Sequence, residues 1–143
     1  MEALDLTKAP PRSPRQELDG LVNLPRSIDK MRGRLPGGNP GVYNITGFTL
    51  IMLEAIGVTE DQFREAVAQA KTDDDVAAWR RAHADTGKYA AFNERMLNRR
   101  VADVKARDPE GFAKRYPISE TRPDIELMID MLEADDEDMF PAR

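Results

Sequence analysis

Phe48-Thr-Leu-Ile-Met-Leu-Glu-Ala-Ile56 is the longest apolar stretch of this 143-residue chain, and Gly57 follows it directly. Its apolar residues lie around most of a helical circumference, which is typical of a helix buried at the centre of a bundle. Gly57 can adopt the left-handed conformation that ends many helices, so we expect the helix to stop there. The stretch is far too short to cross a bilayer, so it predicts no membrane segment.

The segments on both sides continue this helical pattern. Apolar residues recur at helical spacing along nearly the whole chain, whereas strict alternation is almost absent. Capping residues and prolines mark the starts of further helices. The predicted helices are one from Ser13-Pro14 with Leu18, Leu21 and Val22 buried, one from Pro25, one each from Thr59 and Thr72, Tyr89–Arg107, one from Asp108-Pro109 to near Tyr116, and Asp124 to about Ala134. The only plausible strand fragment is Val42–Ile45.

This pattern predicts an all-α fold. We expect a single domain over residues 1–143, built as an orthogonal bundle of about six to seven helices. A short irregular or β-like segment is expected near residues 42–45. Residues 1–12 would form an extended N-terminal arm, and residues 135–143 would form an acidic tail.

Composition excludes several classes of function. The chain has no cysteine and one histidine, which excludes disulfides and argues against a structural metal site. The net charge is −5, so neither nucleic-acid binding nor a membrane role is expected. Residues 117–143 carry two Arg against nine Asp or Glu, so the acidity is concentrated there. No apolar run follows Met1, so we expect no signal peptide and a cytoplasmic location. We also expect no cofactor.

The N-terminal third contains the most distinctive sequence. It reads Leu4-Asp-Leu-Thr-Lys-Ala-Pro-Pro-Arg-Ser-Pro-Arg15, followed by Leu24-Pro-Arg-Ser-Ile-Asp-Lys30. These runs resemble an uncharacterised bacterial family classified as a domain of unknown function, and weaker likeness continues through Leu53–Gly57 to Asp130–Asp135. Because that family has no established activity, the resemblance implies the extent of the domain and little else.

A cluster of cations in the N-terminal third is the first candidate site. It comprises Arg12, Arg15, Arg26, Lys30 and Arg32. Arginine forks suit carboxylates and phosphates, and helix starts offer free N–H groups, so the cluster predicts an anion-binding site. The alternative is a set of surface ion pairs with Glu17, Asp19 and Asp29, and exposed pairs of this kind are common.

Two polar residues fall inside the apolar arc of the helix predicted from Tyr89. Asn93 and Arg100 are seven residues apart, so they lie on one face. Polar groups on such a face need partners. They could line a ligand pocket, or they could bind the backbone of a neighbouring helix, which is the more common arrangement.

Glu54 is the only candidate catalytic residue, and a weak one. It lies in the apolar helix, where burial would raise the pKa of its carboxyl group and suit it to acid-base catalysis. It also lies near the helix end, where it could reach water or an arginine. His83 lies on the stripe of Val76 and Trp79, and we interpret it as a packing residue.

Three functions remain open. The preferred one is a non-enzymatic binding module for an anionic metabolite or an acidic peptide. The second is an enzyme that uses Glu54 with Arg26 or Arg100. The third is a homo-oligomer formed through the helix predicted at Asp124–Ala134, where Met128 and Met131 suggest a contact surface.

Overall fold

The protein is predominantly helical, as the sequence predicts. In a computed structural model, which describes residues 1–141, helices account for 58 % of the chain, beside one two-stranded sheet. The backbone divides into two compact units, Met1–Asn93 and Glu94–Arg143, and each is described separately. The prediction of one domain with orthogonal helix packing stays a prediction.

The elements of the first unit are two strands and four complete α-helices, followed by the start of a fifth α-helix. They are β1 (Glu17–Leu18), β2 (Leu21–Val22), α1 (Leu24–Gly33), α2 (Phe48–Ile56), α3 (Glu60–Gln69), α4 (Asp73–His83) and α5 (Tyr89–Leu97), which contains the boundary between the units. The second unit continues with α6 (Val101–Arg107), α7 (Pro109–Arg115) and α8 (Met128–Met139). No helix among residues 1–141 is both long and apolar enough to cross a membrane.

The helix predicted from Ser13-Pro14 is wrong, because its residues form a β-hairpin. β1 and β2 are antiparallel, with Glu17 opposite Val22 and Leu18 opposite Leu21. Asp19 and Gly20 form the two-residue loop, and both have positive φ angles, 51° and 79°. Two positive φ angles match the right-handed twist of the strands, and Asp-Gly is a favoured pair for this turn. The spacing of the buried leucines fits either structure, so the Asp-Gly pair was the deciding signal.

The start of α1, the end of α2 and the starts of α3 and α4 agree with the sequence. Pro25 lies in the first turn of α1, where its missing N–H costs nothing. Gly57 ends α2 with φ of 74°. Thr59 begins α3 with a capping box, in which its side chain accepts from Gln62 N at 3.1 Å and Gln62 Oε1 accepts from Thr59 N at 2.9 Å. A second capping box joins Thr72 and Asp75 at the start of α4, so α3 and α4 are both fixed at their N-termini.

α2 is less enclosed than its composition predicts. Phe48, Met52 and Leu53 are buried, but Leu50 is 38 % exposed and Glu54 is also exposed. The helix therefore packs through one face and presents the other to solvent. Residues 42–45 form no strand, and the buried side chains of Tyr43 and Ile45 come from an irregular loop.

The single long helix predicted over Tyr89–Arg107 is wrong, since the chain breaks between α5 and α6. The carbonyl of Arg99 accepts from Met128 N at 2.9 Å, and Val101 N donates to the carbonyl of Glu126 at 2.8 Å. Arg100 and Leu127 form an isolated antiparallel bridge between these two hydrogen bonds. The Arg99 carbonyl and the Val101 N–H are therefore paired with a distant segment instead of with a neighbouring helical turn.

α8 begins and ends later than predicted. It starts at Met128 rather than Asp124 and continues to Met139, so the segment predicted as an acidic tail begins inside a helix. Asp135 and Asp136 are both buried, and Asp135 accepts from Arg115 Nη1 at 3.1 Å. Met128 and Met131, which suggested an oligomer contact, are buried within the chain. Ala142 and Arg143, the end of the predicted tail, lie outside the described residues.

Candidate functional site

Arg12 forms ion pairs, which is the alternative that the sequence left open. Its Nε donates to Asp29 Oδ2 at 3.0 Å, and its Nη1 donates to Asp73 Oδ2 at 2.6 Å. Its Nη2 binds Asp29, Asp73 and the carbonyl of Pro25. The hydrogen bond to Asp73, together with Asp29, outweighs desolvation and raises the pKa of Arg12 above its ordinary value. Arg12 thus connects the N-terminal segment to α1 and α4.

Two of the other predicted cations are buried. Arg26 is 1 % exposed; its Nη1 donates to the carbonyl of Arg12 at 3.1 Å, and its guanidinium lies 5.5 Å from the centre of the Tyr43 ring. Lys30 is also buried, in the last turn of α1, whereas Arg15 is exposed. Arg12, Arg26 and Lys30 therefore belong to the packed interior of the first unit or to its ion pairs.

Asn93 and Arg100 lie in different units, and each has its own partners. Asn93 Oδ1 accepts from Val22 N at 2.9 Å, and its Nδ2 donates to the carbonyl of Gly20 at 2.8 Å. Asn93 therefore binds backbone, as the alternative interpretation predicts, but it is the backbone of the β-hairpin and not that of a neighbouring helix. Arg100 lies in the second unit, is about half exposed and pairs with Glu126 at 3.5 Å.

Arg80 is a structural residue that the sequence interpretation missed. It is 2 % exposed, and its Nη2 donates to both the carbonyl and the carboxylate of Asp19. Its guanidinium lies 4.4 Å from the centre of the Tyr89 ring, within the range of a cation–π contact. Arg80 follows Val76 by four residues, so its place on the buried face of α4 was visible in the periodicity.

Asp19 receives a second arginine from the surface. Arg81 Nη1 donates to its carboxylate at 2.9 Å. Desolvation would raise the pKa of Asp19, but the hydrogen bond from Arg81 and the charge of Arg80 oppose it and hold that pKa below its usual value. The hairpin turn is therefore bound by two arginines of α4 through one carboxylate.

A groove between α3 and α4 is a candidate ligand site of the first unit. Its volume is about 450 Å³, within the range of small-molecule pockets. The residues that line this α3/α4 groove are Gly57, Asp61, Gln62, Glu65, Ala66, Gln69, Trp79 and His83. The α3 residues supply one polar wall, and the two α4 residues supply an aromatic wall.

The aromatic wall is formed by stacked rings on successive turns of α4. The rings of Trp79 and His83 have centroids 4.9 Å apart and planes inclined by 15°. His83 Nδ1 lies 2.8 Å from the carbonyl oxygen of Trp79. Because a carbonyl can only accept, we assign the proton to Nδ1, which leaves Nε2 of a neutral His83 as an acceptor. His83 is exposed, so its interpretation as a packing residue is wrong.

The polar wall carries negative charge. Asp61 and Glu65 contribute two carboxylates, and no Lys or Arg occurs among the described residues that line the groove. Gln69 Nε2 donates to Glu65 Oε1 at 2.6 Å, which fixes the position of that carboxylate. Gln62 Oε1 is already used in the capping box of α3. The side-chain acceptors that remain for a ligand therefore include the two carboxylates, Oε1 of Gln69 and Nε2 of a neutral His83.

The second unit has a cavity of similar size beside α8. Its volume is also about 450 Å³, and its described lining is Arg122, Asp124, Ile125, Glu126, Leu127, Asp130, Glu133, Ala134 and Glu137. Five of these nine residues are carboxylates, and Arg122 Nε already pairs with Asp124 at 3.0 Å. Within residues 1–141, no group of three or more His, Asp or Glu side chains is arranged to hold a metal ion.

Glu54 contributes to neither of these cavities. It is exposed on α2 and is absent from both described linings. An enzyme built on Glu54 would need this carboxylate and an arginine in one concave pocket. The two cavities give that alternative no support.

The family model described as Domain of unknown function (DUF5069) matches residues 8–138. The chain belongs to this family. No curated protein matches the chain. The matched range includes most of both units and the described residues that line the α3/α4 groove. It confirms that the chain belongs to an uncharacterised domain-of-unknown-function family.

Proposed function

We propose that this DUF5069 protein is a binding protein for a small organic molecule, which enters the α3/α4 groove and contacts Trp79. The observation that carries the proposal is the half-buried indole in a groove of about 450 Å³. Small-molecule pockets of this size combine aromatic surface with a few polar groups that orient the ligand. Trp79, His83 and the two carboxylates supply that combination.

The sequence allows a direct test, because Trp79 is the only tryptophan. Its indole N–H gives one resonance in a proton–nitrogen NMR spectrum, and that resonance reports on the groove. We would titrate the protein with benzamidine, benzamide and benzoate, three flat probes of nearly equal size. At least one should shift the indole resonance saturably, with a Kd on the order of 1 mM, as expected for fragments.

Two variants locate the binding. Trp79→Ala should abolish binding of that probe, measured on the backbone amide of Gly57 and on the probe's own signals. Val42→Ala is the control, because Val42 is an exposed apolar residue outside the groove. His83→Ala is a second variant, at an exposed position that should tolerate the change. If none of the three probes binds saturably, or if Trp79→Ala binds as tightly as the wild type, the proposal is wrong.

The sequence favours a protein that binds an anionic ligand, and this is the second candidate function. We propose it for the second unit and not for the N-terminal cation cluster. It is supported by crowded arginines near the junction of α5 and α6. Desolvation, followed by repulsion from Arg107 and Arg95, lowers the pKa of the half-buried Arg99. A bound anion would relieve that repulsion. Inorganic phosphate should then shift the Arg99 side-chain resonance in the wild type and not in Arg95→Gln; equal shifts in both would refute this candidate.

A further inference from the structure

The charge of the α3/α4 groove restricts which molecules it can bind. Asp61 and Glu65 place two carboxylates on its polar wall, and no Lys or Arg occurs among the described lining residues. A concave surface with charges of one sign concentrates its potential and attracts the opposite charge. An anionic ligand would enter against that potential, whereas a cation would be drawn into the groove.

The aromatic wall favours the same ligands. The indole of tryptophan is the strongest cation–π partner among the protein side chains. His83 stacks against part of the Trp79 ring, so a ligand contacts the remaining ring surface. Nε2 of neutral His83 can only accept a hydrogen bond, because its proton is on Nδ1. A ligand with a flat face and several N–H donors therefore satisfies both walls.

We infer that the α3/α4 groove binds a small organic cation with a planar amidinium or guanidinium group. The cation stacks on Trp79 and donates hydrogen bonds to the carboxylates of Asp61 and Glu65. A planar fork of N–H donors matches carboxylate geometry better than a single ammonium does. This inference rests on the proposed function, since it names the ligand class of the same groove.

Benzamidine, benzamide and benzoate test the inference, because they share one ring and differ in charge. Benzamidine should bind about tenfold more tightly than benzamide, and benzoate should bind most weakly. Raising the salt concentration should weaken benzamidine binding and leave benzamide binding unchanged. The readout is the shift of the Trp79 indole resonance at each probe concentration.

A matched pair of variants tests the carboxylate. Asp61→Asn removes a charge that lines the groove, and Glu60→Gln removes a charge from the same first turn of α3 outside the groove. Both changes weaken the interaction with the α3 helix dipole similarly, so they should affect folding alike. Asp61→Asn should weaken benzamidine binding about threefold to tenfold, and Glu60→Gln should leave it within about twofold. Glu65→Gln should also weaken it.

The outcomes separate the inference from the proposed function. Equal affinities for benzamidine and benzamide, both lost in Trp79→Ala, would overturn the cation inference and leave the groove as a binding site. Tightest binding of benzoate would overturn the inference in favour of an anion. Unchanged benzamidine binding in the Asp61→Asn and Glu65→Gln double variant, with a normal melting curve, would also overturn it. If none of the probes binds, the proposed function itself fails.

Discussion

Replacement of Arg80 by methionine should strongly destabilise the first unit, because Arg80 is a buried charge with several partners. Its Nη1 donates to the carbonyl of Leu18 at 3.4 Å, and its Nη2 donates to the carbonyl and the carboxylate of Asp19. The methionine side chain has a similar length and apolar stem, so the change removes mainly charge and hydrogen bonds.

The expected magnitude follows from these contacts. The side chain of Asp19 is about one-third exposed and keeps its bond to Arg81, so no unpaired buried charge is left behind. The loss of the charge-assisted bond to Asp19 and of the donors to the carbonyls of Leu18 and Asp19 should cost about 3 kcal/mol. Loss of the contact with Tyr89 adds about 1 kcal/mol. Arg80→Met should therefore lower the free energy of unfolding by about 4 kcal/mol.

Arg81→Met is the matched control. Arg81 is adjacent in sequence and binds the same carboxylate at 2.9 Å, but its side chain is 56 % exposed. An exposed pair contributes about 0.2–1 kcal/mol, so this variant should remain close to the wild type. Both variants remove one positive charge from the same carboxylate, so the comparison measures what the buried position of Arg80, with its carbonyl and Tyr89 contacts, adds to stability.

Urea unfolding measures both variants, followed by Trp79 fluorescence, which reports on the first unit, and by circular dichroism. With an m-value of about 2 kcal/mol per molar urea, Arg80→Met should lower the midpoint by about 2 M, and Arg81→Met by less than about 0.5 M. Equal shifts for the two variants, or a loss below about 1 kcal/mol for Arg80→Met, would refute the argument from burial.

Three further predictions concern the β-hairpin. Gly20→Val should lower the free energy of unfolding by about 1–2 kcal/mol, measured by urea unfolding, because valine is strained at a φ of 79°; an unchanged midpoint would contradict this. Because the pKa of Asp19 is lowered in the folded protein, its contribution is present above the unfolded pKa and is lost as the pH falls through the folded value. Between about pH 5 and about pH 3, the urea midpoint should therefore fall more steeply in the wild type than in Asp19→Asn. Equal slopes of midpoint against pH in the two proteins would contradict this prediction. Asn93→Ala leaves the buried Val22 N–H without its side-chain acceptor, which costs about 1–3 kcal/mol, and hydrogen exchange at Val22 should become faster; unchanged exchange would exclude this role.

Local signals predicted the parts of the fold that depend on neighbouring residues. Thr59 and Gln62 are three residues apart, so their capping box could be identified from the sequence. The spacing of Leu18, Leu21 and Val22 fits a helical stripe as well as the hairpin, so periodicity does not distinguish the two structures. The Asp19-Gly20 pair is the local signal that favours the hairpin turn. The break between α5 and α6 depends on a bridge from Arg100 to Leu127, which periodicity within one segment cannot reveal.

In the candidate site, too, local sequence spacing was informative and contacts between distant segments were not predictable. The sequence placed Trp79 and His83 on one stripe, and the structure stacks them. It could not show that α3 packs beside them, so Asp61 and Glu65 were not recognised as the opposite wall. Asp29 is one of the acidic partners that the sequence offers to the cation cluster, and in the structure it pairs with Arg12. Asp73 also pairs with Arg12, but it lies 61 residues away along the chain, where local sequence patterns give no signal.

The position of Asn93 has a consequence for synthesis on the ribosome. Asn93 accepts a hydrogen bond from Val22, which precedes it by 71 residues. At about 5–20 residues per second, translation needs about 4 to 14 s to cover that interval. During those seconds the hairpin lacks the amide that binds its backbone, and its apolar residues Leu21 and Val22 cannot yet be buried as in the finished unit. The hairpin can therefore reach its native hydrogen bonding only after Asn93 has emerged from the ribosome.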